Sequence, residues 1–220
     1  MNTGLKQQLR ESYDKESKSR NGQETQTWKV EERRIFADLL LRDNKKSLLD
    51  LGAGPGRDSL FFHQEGLSTL SLDLSPEMVG LCREKGLAAE VMSFDSLVFA
   101  DESFDAAWAL NSLLHVPKSE ILNVLEGIKR VLRPGGLFFM GVYGGLDSEG
   151  VWEGDSYDPK RFFSFFTNED IQETVSSVFH IERFHVVPPE VIGGSSFQSL
   201  IYENSLAGGG RLGSRMWEWA

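Results

Sequence analysis

The chain has 220 residues, 40% hydrophobic and 25% charged, with 33 acidic against 23 basic side chains and a formal net charge of −10. That size fits one globular α/β domain with a substantial core, and the acidic excess disfavours nucleic acid, whose phosphates need clustered Lys and Arg. There is no apolar run of the roughly 18 residues a membrane span needs, and the polar start Met1–Gln8 lacks the apolar stretch of a signal peptide. A single cysteine, Cys82, has no internal disulfide partner and suits the cytoplasm.

Residues 4–20 are strongly charged and read as partly helical, with a break at Asn21-Gly22-Gln23. Residues 26–42 predict an amphipathic helix with Trp28, Val30, Ile35, Phe36, Leu39 and Leu40 on one side. Residues 47–51 are mostly apolar, with Leu48, Leu49 and Leu51, as in a parallel strand covered on both faces. A helix over about 57–65 and a strand over 69–73 follow. Ser75-Pro76 then caps and starts a helix that ends near Lys85-Gly86. Cys82 falls on that helix, where a small buried side chain is expected.

Further strands are expected at 88–93, 104–110 and 137–142, with a helix over 118–132 before the last of these. Residues 143–166 read as irregular, rich in acids and aromatics. Thr167 opens a helix to about 179, and strands at 180–187 and 196–202 pair across a Pro188-Pro189 to Gly193-Gly194 loop. The alternation predicts a three-layer α/β/α sandwich with a doubly wound, mostly parallel sheet. One domain is expected over 1–203, with a helical lid at 1–45 and a lid insertion at about 143–166. Residues 204–220, with Gly208-Gly209-Gly210, Trp217 and Trp219, read as a flexible tail.

The most informative stretch is Asp50-Leu51-Gly52-Ala53-Gly54-Pro55-Gly56. A strand, a glycine turn and a helix start bring backbone N–H groups close to a nucleotide-like ligand. A dinucleotide fingerprint would place its third glycine at position 57, where this chain has Arg57. The string resembles the first motif of class I S-adenosylmethionine (SAM)-dependent methyltransferases. That resemblance covers about residues 30–202 and implies a seven-stranded sheet of order 3-2-1-4-5-7-6 with one reversed strand. It also implies that SAM is the cofactor and S-adenosylhomocysteine (SAH) the product.

On this resemblance the turn Gly52, Ala53, Gly54 and Gly56 lies beside the methionine part of the cofactor, and Asp50 orders the contacts around its amino group. Asp73, ending the second strand 21 residues after Gly52, accepts from the ribose hydroxyls. Leu74 and Met78 line the adenine. The backbone of Phe94 contacts the adenine, with Asp95 or Ser93 beside it. Asn111 contacts the cofactor, and Tyr13 closes over it.

For the acceptor, the resemblance points to His115 and to the insertion, where Tyr143, Trp152, Tyr157, Arg161 and Phe162 offer an apolar or amine-holding pocket. His115 and Tyr143 are candidate catalytic groups; for His115 two readings stand, a proton acceptor or a hydrogen-bonded support under the cofactor. The absence of an Asn/Asp-Pro-Pro-aromatic motif after the fourth strand counts against base methylation. His63, His180 and His185 suit no metal site. The expected activity is methyl transfer from SAM to a small-molecule acceptor, in a monomer or homodimer. A SAM-binding protein without catalysis and an NAD-dependent reductase are the alternatives. The glycine spacing and the lack of a Tyr-x-x-x-Lys pair argue against the reductase.

Overall fold

The leucine-rich segment Leu48-Leu49-Asp50-Leu51 becomes the centre of the sheet. In the computed structural model, which describes residues 1–204, β1 (Ser47–Leu51) pairs in parallel with β2 (Ser68–Asp73) on one side and β4 (Phe104–Leu110) on the other. β3 (Ala88–Val91) extends the sheet beyond β2, and β5 (Leu132–Gly144) lies beyond β4. β9 (Ser196–Glu203) runs antiparallel to both β5 and β8 (His180–Val187), as expected of strands joined without a crossover helix. The sheet has seven strands in the order β3-β2-β1-β4-β5-β9-β8. Its labels differ from 3-2-1-4-5-7-6 because β6 (Ser148–Val151) and β7 (Phe162–Phe165) form a separate hairpin within the expected insertion. That hairpin corrects the reading of 143–166 as irregular. The sequence Ser-Glu-Gly-Val has no apolar alternation to announce a strand.

Period-two alternation sends successive strand residues to opposite faces. Leu49, Ala107, Phe138 and Met140 pack with Leu125 and Ile128 of α6 (Ile121–Val131) and with Ile171 and Val175 of α7 (Asn168–Ser176). Leu48, Ala106, Trp108 and Phe139 face the other way, onto Phe36 and Leu40 of α3 (Thr27–Arg42) and Phe62 of α4 (Arg57–Gln64). An aromatic cluster fills this second layer. Trp108 stacks on Phe139 with ring centroids 3.9 Å apart, and Phe62 meets Trp108 edge-on at 5.1 Å. Cys82, on α5 (Pro76–Glu84), is fully buried with Val79 and Leu87.

The buried face of α3 departs from the expected one. Trp28, Phe36, Leu39 and Leu40 are buried, but Val30 is 38% exposed and Glu32 takes a buried place in the stripe. Residues 28, 32, 36 and 39–40 follow the helical repeat, and position 30 lies on the far side. The buried Glu32 carboxylate accepts from the Ser199 hydroxyl (2.6 Å) and contacts His185 Nε2 (2.6 Å), tying α3 to β9 and β8. The amino-terminal segment forms α1 (Thr3–Lys15) and α2 (Ser17–Gly22), and the 188–194 loop carries a single turn, α8 (Pro189–Ile192). Of the expected tail 204–220, Asn204 is buried and bonded into the domain, its side chain donating to the Leu132 and Arg133 carbonyls (2.8 and 3.1 Å), and 205–220 lie outside the described residues. Among the described residues no helix is long and apolar enough to cross a membrane, and no cluster of metal-ligating side chains occurs.

Replacing Phe62 with Ala empties the aromatic layer behind the β1–α4 unit. The expected loss of stability is about 3–5 kcal/mol, read as a lower denaturation midpoint in urea.

Candidate functional site

Two glycines determine how the chain turns from β1 into α4. Gly52 has φ +77°, and a Cβ there would stand 2.4 Å from the Ser112 Cβ, so only glycine lets the turn pass beneath the end of β4. Its N–H and that of Ala53 both donate to the Leu72 carbonyl at 2.8 Å, locking the turn to β2. Gly54 also has positive φ, +55°, but a Cβ there would meet nothing within 4 Å. It faces open space. Its N–H donates to Asp73 Oδ2 (2.8 Å), while Asp73 Oδ1 accepts from the Ser75 N–H (2.9 Å). Gly56 packs down against Cys82 and Leu87, away from that space.

Asp50 is 2% exposed and accepts from the Ser59 hydroxyl (2.6 Å), which in turn accepts from the Ser71 hydroxyl (2.7 Å). Burial, reinforced by the neighbouring Asp58 and Asp73 carboxylates, pushes its pKa up to about 8. A cation brought into this corner would remove that strain on the charged form.

Three connected cavities lie along the carboxyl ends of the parallel strands, the usual ligand edge of such sheets. The first, about 470 Å³, is bounded by Asp50, Gly52, Ala53 and Gly54 below and by Arg20 and Lys29 above. The second is narrow, about 70 Å³, and runs past Asp73, Leu74, Ser93 and Phe94 under Tyr13. The third, about 550 Å³, has Tyr143, Trp152, Tyr157, Arg161, Phe163 and Phe165 in its walls. Arg20 and Asn111 belong to all three. Asn111 adopts φ +55°, a conformation Asn tolerates, and its buried side-chain oxygen has no hydrogen-bond partner.

Four sequence candidates lie off these walls. Met78, in the first turn of α5, is fully buried and counts with the core. Gly56 faces Cys82. Asp95 pairs with Lys6 Nζ at 2.7 Å and with the Met1 amino group, contacts that hold its pKa down at about 2 although burial acts the other way, and it anchors the start of α1. Phe162 points out of the third cavity because Phe163 and Phe165 occupy the inward positions of β7. Its carbonyl is the useful part, accepting from His115 Nδ1 at 2.7 Å.

That carbonyl fixes the state of His115. A carbonyl only accepts, so Nδ1 carries the proton and Nε2 holds the lone pair, which receives the Tyr13 hydroxyl at 2.6 Å. Burial lowers the imidazole pKa to about 3, with Arg161 and Arg20 adding repulsion. His115 is therefore neutral in this arrangement, with both ring nitrogens hydrogen-bonded. The Tyr13 oxygen also accepts from Arg161 Nη1 (3.1 Å), and Arg161 is held by both oxygens of buried Asp155 (2.8 and 2.9 Å) and stacked 3.6 Å over the Tyr157 ring. Burial raises the pKa of Tyr13 and of Tyr143, so both hydroxyls keep their protons.

Arg20 and Lys29 were not among the sequence candidates, whereas Phe163 and Phe165 belong to the aromatics of the insertion expected to build a pocket. The two phenylalanines carried a signal, since alternation within Phe162-Phe163-Ser164-Phe165 puts 163 and 165 on one face. Arg20 carried none, because it sits in a run of polar residues, and Lys29 reads as an ordinary polar position between Trp28 and Val30 of the amphipathic helix.

In the folded protein Asp50 keeps its proton up to about pH 8, whereas in the unfolded chain it ionises near the ordinary value of about 3.9. The native state binds the extra proton across that window, so Asp50 lowers stability progressively as pH rises through it. Replacing Asp50 with Asn should reduce the fall in melting temperature between pH 5.5 and 8.5, measured without ligand.

Residues 49–140 match the profile of a family described as a methyltransferase domain. Over 148 residues the chain is 33% identical to a malonyl-[acyl-carrier protein] O-methyltransferase of Hamiltonella defensa, a match covering 64% of this chain and 55% of that protein. Over 125 residues it is 31% identical to a sterol 24-C-methyltransferase of Gibberella zeae, covering 52% of this chain and 31% of that protein. The chain spans about a third to about half the length of these curated relatives. Among solved structures it resembles the 1,6-didemethyltoxoflavin-N1-methyltransferase of Burkholderia thailandensis, determined with bound 1,6-didemethyltoxoflavin and S-adenosylhomocysteine. The TM-score is 0.69 at 21% identity, with 90% of this chain and 87% of that one covered. The fold is the Rossmann-like fold of class I methyltransferases.

Proposed function

With a methyltransferase domain at residues 49–140 as the premise, we propose that the protein transfers a methyl group from SAM to a small-molecule acceptor. The observation that carries this reading is the open space in front of Gly54, flanked by two carboxylates and joined through Asn111 to an aromatic cavity large enough for a small molecule. The residues suit the cofactor. Asp50 offers a carboxylate to an ammonium group, and each Asp73 oxygen keeps a free lone pair for a ribose hydroxyl. Leu74, Ser93 and Phe94 frame an adenine-sized slot, and the orphan Asn111 oxygen stands at the junction. Tyr13 and Arg20 close the cleft from α1 and α2, making the amino-terminal segment a lid.

SAM supplies, when bound, a methyl group made electrophilic by its sulfonium. The protein's own work is positioning and exclusion of water. Among the described residues no carboxylate lines the acceptor cavity, His115 has its lone pair committed, and the Tyr13 and Tyr143 hydroxyls stay protonated. The acceptor's nucleophile thus arrives already unprotonated, or loses its proton to solvent. A pH profile of kcat/KM should show no inflection that disappears in a His115→Gln variant.

Gly54→Asn tests the site without disturbing the turn, because Asn accepts positive φ while its side chain fills the open space. Calorimetry should show SAH affinity reduced at least about a hundredfold (about 2.7 kcal/mol) with the melting temperature little changed. Normal affinity in that variant would contradict this placement of the cofactor.

A further inference from the structure

The two large cavities differ in the sign of their walls. Beside the glycine turn both signs are present, with Glu24, Asp50 and Asp58 facing Arg20, Lys29 and Arg57. Such a mixture suits a ligand carrying an amino acid's two charges, with Asp50 for its ammonium and Arg57, which lines this cavity but not the acceptor cavity, for its carboxylate. In the acceptor cavity only cations remain: Arg20, Lys29 and Arg161, with no carboxylate among the described residues in its walls. This is unexpected in a chain of net charge −10.

Arg161 is already neutralised by Asp155 from behind. Arg20 and Lys29 are not. Among the described residues neither forms an ion pair; Arg20 donates to the Tyr157 hydroxyl (3.1 Å) and lies 5.3 Å over the Tyr13 ring, with its buried Nε left without a hydrogen-bond partner. Lys29 Nζ lies 5.1 Å from the Trp28 ring and 6.0 Å from the Tyr143 ring. The carboxylate that acts on Lys29 from a distance, Asp58, is bonded to Arg33 (2.9 Å). Burial lowers the Lys29 pKa to about 8, and repulsion from Arg20 adds to the shift. Two half-buried cations side by side are costly until an anion joins them. The same cavity has an aromatic wall, with Phe163 and Phe165 stacked at 5.6 Å and Trp152 edge-on to Phe163 at 5.8 Å.

We propose that the acceptor is an aromatic or heteroaromatic acid, its anionic group held by Arg20 and Lys29 and its ring lying against Phe163, Phe165 and Trp152. This rests on the methyltransferase reading above, which supplies the assignment of the two cavities. It excludes cationic amines as acceptors, although the cavity's aromatic walls by themselves would favour them.

Three ring-matched probes test it: 2-naphthoate, 2-naphthamide and 2-naphthylmethylamine, titrated into the SAH-saturated protein. The carboxylate should bind at least about tenfold more tightly than the amide or the amine (about 1.4 kcal/mol). In a Lys29→Gln variant that preference should shrink to within about threefold, with the affinity of the neutral amide unmoved. Equal binding of the three, tightest binding of the amine, no binding by any, or an unchanged preference in the variant would each overturn the proposal. If SAH itself fails to bind, it is the methyltransferase reading that fails. The probes are then titrated without it, and the carboxylate is again expected to bind most tightly.

Discussion

The geometry of the site depends on one carboxylate, Asp73, and on the glycine it holds. Its Oδ2 takes the Gly54 N–H and its Oδ1 takes the Ser75 N–H, so the ends of β1 and β2 are fastened to each other at the point where the sheet opens. The Leu72 carbonyl adds two more bonds to the same turn. Because Gly52 cannot bear a side chain beneath Ser112, the turn has a single path, and it delivers Gly54 to the cleft with nothing in front of it. The aromatic layer of Phe36, Phe62, Trp108 and Phe139 makes the β1–α4 unit rigid from behind. Rigidity of this kind lets backbone N–H groups act as fixed dipoles.

Electrostatics then divides the cleft. Asp50, Asp58 and Asp73 crowd one end, and the first of these stays protonated in the free protein to relieve the crowding. Arg20 and Lys29 stand across from it, and the hairpin β6–β7 supplies an apolar floor beyond. Tyr13 links these regions, since its hydroxyl is shared between His115, whose other nitrogen is fixed by the hairpin backbone, and Arg161. Withdrawal of α1 would open the narrow slot and the acceptor cavity together.

Much of this was legible in the chain. The Asp50–Gly56 string, the acid at 73 and the capped helix at Ser75-Pro76 each have a local physical signature, and all fall where the sequence places them. What was not legible depends on tertiary contact. Glu32 reads as a polar interruption of α3 until His185 and Ser199 are seen to receive it. Met78 has the spacing of a cofactor-lining residue but lies wholly in the core. Asp95 resembles an adenine ligand in sequence, yet it is held by Lys6 from a helix some ninety residues away in the chain. The hairpin at 148–165 has one strand without hydrophobic alternation, so its existence is imposed by Phe163 and Phe165 seeking cover.

The central claim is that the turn at Gly52–Gly56 receives the amino-acid end of SAM. Calorimetric titration of the purified protein with SAM, SAH and NAD in parallel tests it most directly. The account predicts binding of SAM and SAH and none of NAD, with net proton release on SAM binding near pH 7.5 as Asp50 ionises against the incoming ammonium. Binding of NAD alone, or of none of the three, would contradict it.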